Sequence, residues 1–180
     1  MYSKLILFLF IVFGTYSIEE ETIEWRQDYK LQWSDFKGPV DANSDAVAVT
    51  ASGITFSFSL RQTNDRYVGF ESNAEAHFYP NKSWYMKESG NDHVLAHEQL
   101  HFDITELHVR QLRYDIAQLR VSQSIKQDLQ ELHKKANENL AKMQHAYDTQ
   151  TQNSINKERQ AVWAQFVKDE LHKFSAYRSQ

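Results

Sequence analysis

The chain has 180 residues, of which 41% are hydrophobic, and a formal net charge of −4 at pH 7. This length and apolar content suffice for one domain with a buried core. The negative net charge argues against the lysine- and arginine-rich surface that nucleic-acid-binding proteins use, so we expect no nucleic-acid partner. Cysteine is absent from the sequence, which excludes a disulfide framework and a cysteine-linked lipid anchor.

The first residues have the pattern of a secretory signal peptide. Residues 1–4 are a short positive start, residues 5–13 are an uninterrupted apolar run, and residues 14–17 are small and polar. Because the apolar run is short for a membrane span, an uncleaved anchor is the less favoured alternative. We therefore expect residues 1–17 to be cleaved as a signal peptide and residues 18–180 to form one mature domain. That domain would be exported to the periplasm or secreted, with no stable membrane span after cleavage.

Two stretches of alternating apolar and polar residues predict a small antiparallel sheet. Residues 54–60 and residues 68–78 each place apolar side chains on one face, which is the pattern of half-buried strands. The turn-like residues 63–65 separate the two runs, so they most simply pair as antiparallel neighbours. Residues 84–86 predict another short strand. The aromatic side chains before the sheet are interpreted as core-filling groups: Trp25, Trp33 and Phe36.

The chain after Gly90 contains neither glycine nor proline, so nothing forces a sharp break in helical structure. Its apolar spacing predicts three helices, over residues 92–121, 125–143 and 161–174. Residues 122–124 are expected to separate the first two helices. The polar residues 147–154 are expected to form a turn before the last one. The predicted architecture is therefore α+β, with a small antiparallel sheet followed by helices.

The first predicted helix carries a His-Glu-x-x-His sequence at residues 97–101. Residues four apart on a helix lie about 40° apart around the axis and about 6 Å along it, so the imidazoles of His97 and His101 can reach one ion. Glu98 projects about 100° away, where it can take a proton from a water held by that ion. We therefore predict a Zn²⁺ cofactor with His97 and His101 as ligands and Glu98 as the catalytic base.

A catalytic zinc site needs a third protein ligand, with water in the fourth position. Helix geometry excludes the nearest candidates, because Asp103 and Glu106 face away from His101 and His108 lies about 10 Å further along the helix. Asp103 and Glu106 are instead interpreted as outer-shell or helix-packing groups. His93 is interpreted as an exposed histidine at the start of the helix.

The third ligand must therefore come from another part of the chain, and we predict that it is Asp148. This residue follows Tyr147 in the polar segment after the second predicted helix, where a loop could direct a carboxylate back to the first helix. Glu131 and Glu138 on the second predicted helix are the alternatives, in the manner of zincins whose third ligand is a glutamate on a later helix.

Four motifs occur in order along the chain. They are Leu-Gln-Trp-Ser-Asp-Phe-Lys-Gly at 31–38, His-Glu-Gln-Leu-His-Phe-Asp-Ile-x-Glu at 97–106, Tyr-Asp-x-x-Thr at 147–151 and Gln-x-x-Trp at 160–163. Together they resemble the DUF922 family, exported bacterial proteins of unknown function that are grouped with zincin-like metallopeptidases. The resemblance implies a zincin-like metal-binding domain over residues 18–180, but no substrate. The family pattern often has His-Gly where this chain has Asn153 and Ser154, so no ligand is assigned there.

The function that these features predict is that of an exported zinc-dependent metallopeptidase acting on a peptide or protein substrate in the cell envelope. Peptide bonds would be hydrolysed by a zinc-bound water activated by Glu98, with the substrate lying along the edge of the strand at 68–78. The alternatives are a non-catalytic binding or structural domain with a zinc site, and a zinc amidohydrolase acting on cell-wall material. The presence of Glu98 favours the two enzymes, because a structural site has no need of a base.

Overall fold

The described part of the chain, residues 20–179 of a computed structural model, is an α+β structure in which strands precede helices. The predicted α+β class, with a small antiparallel sheet followed by helices, is confirmed. The predicted signal peptide, residues 1–17, lies outside the described residues. No helix within residues 20–179 combines the length and the apolar character that crossing a membrane requires.

Five strands form two antiparallel sheets, and all of them lie before the first long helix. The strands are β1 (Ile23–Glu24), β2 (Ala48–Val49), β3 (Ser52–Thr63), β4 (Arg66–Phe78) and β5 (Trp84–Tyr85). The larger sheet has the order β1-β4-β3, and β2 pairs with β5. A tight turn joins β3 to β4, where Asn64 and Asp65 take the positive φ angles of 47° and 58° that suit two-residue hairpins. The hairpin predicted from alternation is therefore confirmed, with longer strands.

The prediction that the strand at 68–78 offers a free edge is wrong. β4 lies between β1 and β3 in the sheet. The edge of β4 that faces β1 is also occupied next to β1. Trp25 donates its backbone N–H to the Ala76 carbonyl, and Arg113 donates to the Ala74 carbonyl. The outer strands are the two-residue β1 and the long β3, and each pairs with β4 alone within the described residues.

Three long helices follow the sheet. They are α1 (Asp92–Ala117), α2 (Ile125–Thr151) and α3 (Lys157–Lys173). α1 starts where the sequence predicts, because the Asn91 side chain accepts hydrogen bonds from the backbone N–H groups of His93 and Val94. The break before residue 125 is also confirmed, although α1 ends earlier than predicted.

The turn predicted for residues 147–154 is wrong in its first half, because α2 continues to Thr151. Tyr147 and Thr151 are both fully buried one turn apart, and the Thr151 hydroxyl donates to the Tyr147 carbonyl at 2.7 Å. The polar residues near Tyr147 and Thr151 lie on the other faces of α2, so their polarity marks a solvent-facing side of the helix and not its end. The helix ends where residues 152–154 adopt φ angles of 51°, 50° and 75°.

The buried apolar side chains form two clusters on either side of α1. The larger one lies between the sheet and the helices and includes Trp25, Phe36 and Phe78. The smaller one joins α1, α2 and α3 through Leu100, Ile104, Leu140, Tyr147 and Val167. The core role predicted for Trp25 and Phe36 is confirmed, while Trp33 is half-buried and stacks on Tyr85 with ring centroids 4.2 Å apart.

Candidate metal centre

The His-Glu-x-x-His motif lies in the second and third turns of α1. The side chains of His97, Glu98 and His101 are buried, with only 3%, 4% and 7% of their surface exposed. The four-residue spacing brings the two imidazoles together, so that the Nε2 atoms of His97 and His101 are 3.3 Å apart.

Asp148 reaches the same point from the last turn of α2. Its Oδ1 atom lies 3.2 Å from His97 Nε2 and 2.8 Å from His101 Nε2. One ligand atom from each of these three residues thus falls within 4.8 Å of the other two. The Asp148 side chain is 38% exposed, so the cluster is open to solvent on this side. Asp148 therefore sits where a third ligand is needed, although it projects from a helix and not from the predicted loop.

The other candidates lie outside this cluster. Glu131 and Glu138 are exposed on α2, and Glu138 lies 4.0 Å from Lys134. Because Glu138 is ten residues before Asp148, it lies about 15 Å away along the helix. His93 is half-buried, and its Nε2 atom is 2.7 Å from the Ser154 carbonyl oxygen.

The spacing of the three ligand atoms fits a tetrahedral metal ion. Zinc–nitrogen and zinc–oxygen bonds of about 2.0–2.1 Å place tetrahedral ligand atoms about 3.3 Å apart. Two of the three separations, 3.3 Å between the imidazoles and 3.2 Å between His97 and Asp148, are close to this value. The third, 2.8 Å between His101 and Asp148, is that of a direct hydrogen bond. Two imidazoles and a carboxylate are also a donor set that catalytic zinc sites use.

The charges of the cluster are strongly coupled. Burial raises the pKa of the Asp148 carboxyl, but the hydrogen bonds with His101 and His97 outweigh burial, so its pKa is well below the usual range. Burial lowers the pKa of His101, but the hydrogen bond with Asp148 and the charge of Glu98 outweigh it, and the net shift is upward. The cluster is therefore an acidic centre that stabilises positive charge at the point where the ligand atoms meet.

Tyr147 holds the two imidazoles in place by packing. Its ring stacks on His97 at 4.4 Å between centroids and meets His101 edge-on at 5.0 Å. Burial, assisted by the charges of Glu98 and Asp148, raises the Tyr147 pKa far above its usual range, so the phenol stays protonated. Its hydroxyl lies 3.5 Å from the His97 carbonyl. From sequence, packing is the favoured role for this tyrosine over a hydroxyl directed to the substrate, and these contacts agree with packing.

Packing is the main restraint on the imidazoles, because hydrogen bonding to their second nitrogens is missing. Metal-binding histidines commonly donate that N–H to a carboxylate or carbonyl. Here the Nδ1 atoms of His97 and His101 are buried and have no hydrogen-bond partner within residues 20–179.

Asp103 and Glu106 form no hydrogen bonds with His97 or His101 within residues 20–179. Asp103 accepts hydrogen bonds from Trp25 Nε1 at 2.7 Å and from Gln99 Nε2 at 2.9 Å. Glu106 is fully buried and pairs with Arg110 at 2.7 Å. Of the two roles considered from sequence, these contacts fit the packing role and not the outer-shell role.

Glu98 differs from the other buried carboxylates of α1. Within residues 20–179 the structure shows no hydrogen bond to its carboxylate, although its backbone carbonyl accepts one from the Thr50 hydroxyl at 3.2 Å. Its charge nevertheless acts on the neighbouring groups, since it raises the pKa of both His101 and Tyr147. Glu98 is thus a buried carboxylate beside the cluster that is free to accept a proton.

The fold and the cluster together define an α+β protein with a His-His-Asp site that could hold a metal ion. The chain belongs to the DUF922 family, described as bacterial proteins of unknown function, whose profile matches residues 15–159. The matched region contains the first three of the four motifs and ends just before Gln160. No curated protein and no solved structure matches the chain.

Proposed function

We propose that the protein is a zinc-dependent metallopeptidase with a zincin-like arrangement, in which His97, His101 and Asp148 hold the metal and Glu98 is the catalytic base. The convergence of three ligand atoms beside an unpaired buried carboxylate carries this proposal. The zincin-like description is supported by a long motif helix beside an antiparallel sheet and by a third candidate ligand from a later helix.

The chemistry follows from the position of each group. A bound Zn²⁺ would polarise the scissile carbonyl and make water acidic enough to react near neutral pH. The Glu98 carboxylate accepts the proton of the attacking water and passes it to the leaving amine. Tyr147 positions the His97 ring, since its hydroxyl is directed to the His97 carbonyl and not into open space.

The outer strand β3 is the proposed binding edge for an extended peptide. The backbone groups of Ser52, Ile54 and Phe56 point away from β4, because the intervening residues make the ladder hydrogen bonds. The start of β3 also lies beside the motif helix, since Ser52 Oγ is 2.7 Å from Thr105 Oγ1 and that hydroxyl donates to the His101 carbonyl. A peptide added to this edge would therefore run past the candidate metal centre.

The proposed setting is the cell envelope. The signal-peptide pattern of residues 1–17 supports export to the periplasm or the medium. The substrate would then be a peptide or protein found there.

The first test is metal content. Wild-type protein is expected to bind about one Zn²⁺ per chain, and a His97→Ala/His101→Ala double variant none. Zinc analysis of the purified proteins measures this directly. Stoichiometric zinc in the double variant would overturn the assignment of the ligands.

The second test is cleavage of a peptide library by the wild type, by Glu98→Gln and by Glu131→Gln as an exposed control. Cleavage that needs Glu98 and tolerates Glu131→Gln supports the peptidase. Hydrolysis of cell-wall amides without peptide cleavage would support the amidohydrolase instead. Zinc binding with no turnover of either substrate would support a binding or structural domain.

A further inference from the structure

A cavity of about 940 Å³ lies between α1, α3 and the segment before β2. It opens on a different face of α1 from the candidate metal centre, and none of His97, Glu98, His101 and Asp148 lines it. Its α3 wall also lies almost wholly beyond residue 159, where the family match ends. The cavity is therefore a separate feature of this chain that the proposed peptidase site does not use.

The cavity is elongated and has an aliphatic floor. On α3 its lining extends from Lys157 to His172, which is about 22 Å along the helix axis. Small side chains at Ala96, Ala161 and Ala164 leave the space open. Buried Leu100 and Val167 lie below them. Its volume is at the upper end of the range for small-molecule sites, about 300–1,000 Å³.

The charged side chains around the cavity are mostly cations. Lys157, Lys168 and Arg178 line it, and none of them forms an ion pair with a residue in the described range 20–179. Two acidic residues line the cavity within residues 20–179, and of these only Asp169 forms no ion pair with a lysine or arginine. Asp169 accepts a hydrogen bond from Gln165. The cavity thus has an excess of positive charge in a chain whose net charge is −4.

The remaining charges of the lining are already balanced. Arg110 is paired with Glu106 at 2.7 Å, and its guanidinium lies 5.1 Å above the Trp25 ring. Lys30 lies 3.6 Å from Asp103. Unbalanced positive charge therefore lies on the α3 side, at Lys157 near its start and at Lys168 and Arg178 near its end.

We propose that this cavity binds an anionic amphiphile with a single aliphatic chain. The chain would lie along the alanines and Leu100, because a linear apolar molecule makes use of both the length and the aliphatic floor. The acidic headgroup would contact Lys168 and Arg178. A carboxylate and a phosphate share this chemistry, and the experiment below distinguishes them.

The test is calorimetric titration of the full chain with dodecanoate and dodecyl phosphate below their micellar concentrations, and with neutral dodecanol below its solubility limit. At least one of the two anions is expected to bind at one site per chain with a Kd below about 100 µM, and dodecanol at least about tenfold more weakly. The better-bound anion identifies the headgroup class. Equal binding of dodecanol would overturn the charge argument, and an absence of binding by either anion would overturn the site.

Two variants locate the bound molecule, each with a matched control on α2. Lys168→Glu/Arg178→Glu should weaken binding of the anions at least about tenfold, while Lys126→Glu/Lys142→Glu leaves it unchanged. Ala164→Trp should abolish binding by filling the cavity, while Ala141→Trp, which is also exposed but lies outside the cavity, does not. Unchanged melting temperatures without zinc show that the variants fold, so the result stands whether or not the protein binds zinc. Full binding of the anions by Ala164→Trp would overturn the proposal.

Discussion

The two halves of α1 both bury polar side chains, but they differ in how completely those side chains are hydrogen-bonded. In the second half, Glu106 accepts from Arg110 and from the Ser179 backbone and hydroxyl, and Arg110 also donates to the Leu171 carbonyl. These groups are mutually satisfied, and they fasten α1 to α3 and to the C-terminal segment. In the first half, His97 and His101 converge on one point, while their buried Nδ1 atoms lack hydrogen-bond partners within residues 20–179.

The difference separates a packing role from a chemical one. Buried polar groups are normally hydrogen-bonded, because leaving one unsatisfied costs about 1–3 kcal/mol. A satisfied network needs no further explanation. Unsatisfied groups that also converge on one point retain a capacity to bind a cation or move a proton, which is why the first half of α1 is the candidate site.

The largest expected effect comes from removing the proton acceptor. Glu98→Gln should lower peptide hydrolysis by about 10²–10⁴-fold, because an amide cannot accept the proton of the attacking water. Zinc content should stay at the wild-type level, since Glu98 is not one of the three residues whose ligand atoms converge. Kinetic assays with zinc analysis of the same preparations measure both. Loss of zinc in Glu98→Gln would show that this carboxylate is a ligand.

Breaking the satisfied network should affect folding and not zinc binding. Glu106→Ala leaves Arg110 buried without its partner, which should lower the free energy of unfolding by about 3–5 kcal/mol. Denaturant titration measures this loss. The apolar double variant Glu106→Met/Arg110→Leu should recover most of it. If the folded Glu106→Ala protein bound zinc much more weakly, the two halves of the helix would not be independent.

His108, a buried histidine in the second half of α1 that lies outside the Glu106–Arg110 network, should make stability sensitive to acid. Burial lowers its pKa to about 4, and its Nε2 atom has no hydrogen-bond partner within residues 20–179. The unfolded chain takes up a proton near pH 6.5, so stability present above that pH is lost as the pH falls to about 4, by about 3 kcal/mol. Denaturant titrations at neutral and acid pH should show a smaller loss for His108→Leu. An identical loss in both proteins would assign the acid sensitivity to other groups.

A smaller effect is expected at the third ligand. Asp148→Asn should weaken zinc binding at least about 10- to 100-fold, because a neutral amide oxygen replaces a carboxylate. The zinc-dependent rise in the melting temperature, which Glu98→Gln should retain, should be lost in Asp148→Asn. Melting curves with and without zinc provide the comparison. Unchanged zinc affinity would overturn the assignment of Asp148 as a ligand.

The smallest effect should come from Tyr147→Phe. The Tyr147 hydroxyl is 3.5 Å from the His97 carbonyl, which is a weak hydrogen bond, and the stacked ring is retained. Zinc affinity and activity should change less than about threefold, since a hydrogen bond of this kind contributes at most about 0.5 kcal/mol. A large loss of activity with normal zinc content would instead assign the hydroxyl a direct role with the substrate.

Several features could be predicted from sequence because they depend on local geometry. The alternation before and after residues 63–65 predicted the hairpin of β3 and β4, and the apolar spacing after Gly90 predicted a helix that starts at residue 92. The convergence of His97 and His101 followed from their spacing on one helix. Asp148 was named correctly as a member of the cluster but for a wrong reason, since a polar helix end was interpreted as a loop.

The sequence alone determined which residues alternate, which recur with helical period and where the His-Glu-x-x-His motif lies, because these depend on neighbours a few residues apart. Only the tertiary structure decided that Asp148 meets the motif from α2 across 47 residues of chain. It also decided that β3 and not β4 is the outer strand and that α3 leaves a cationic cavity beside α1. Those features depend on how separate elements pack, and the packing of distant segments is not encoded in any local pattern.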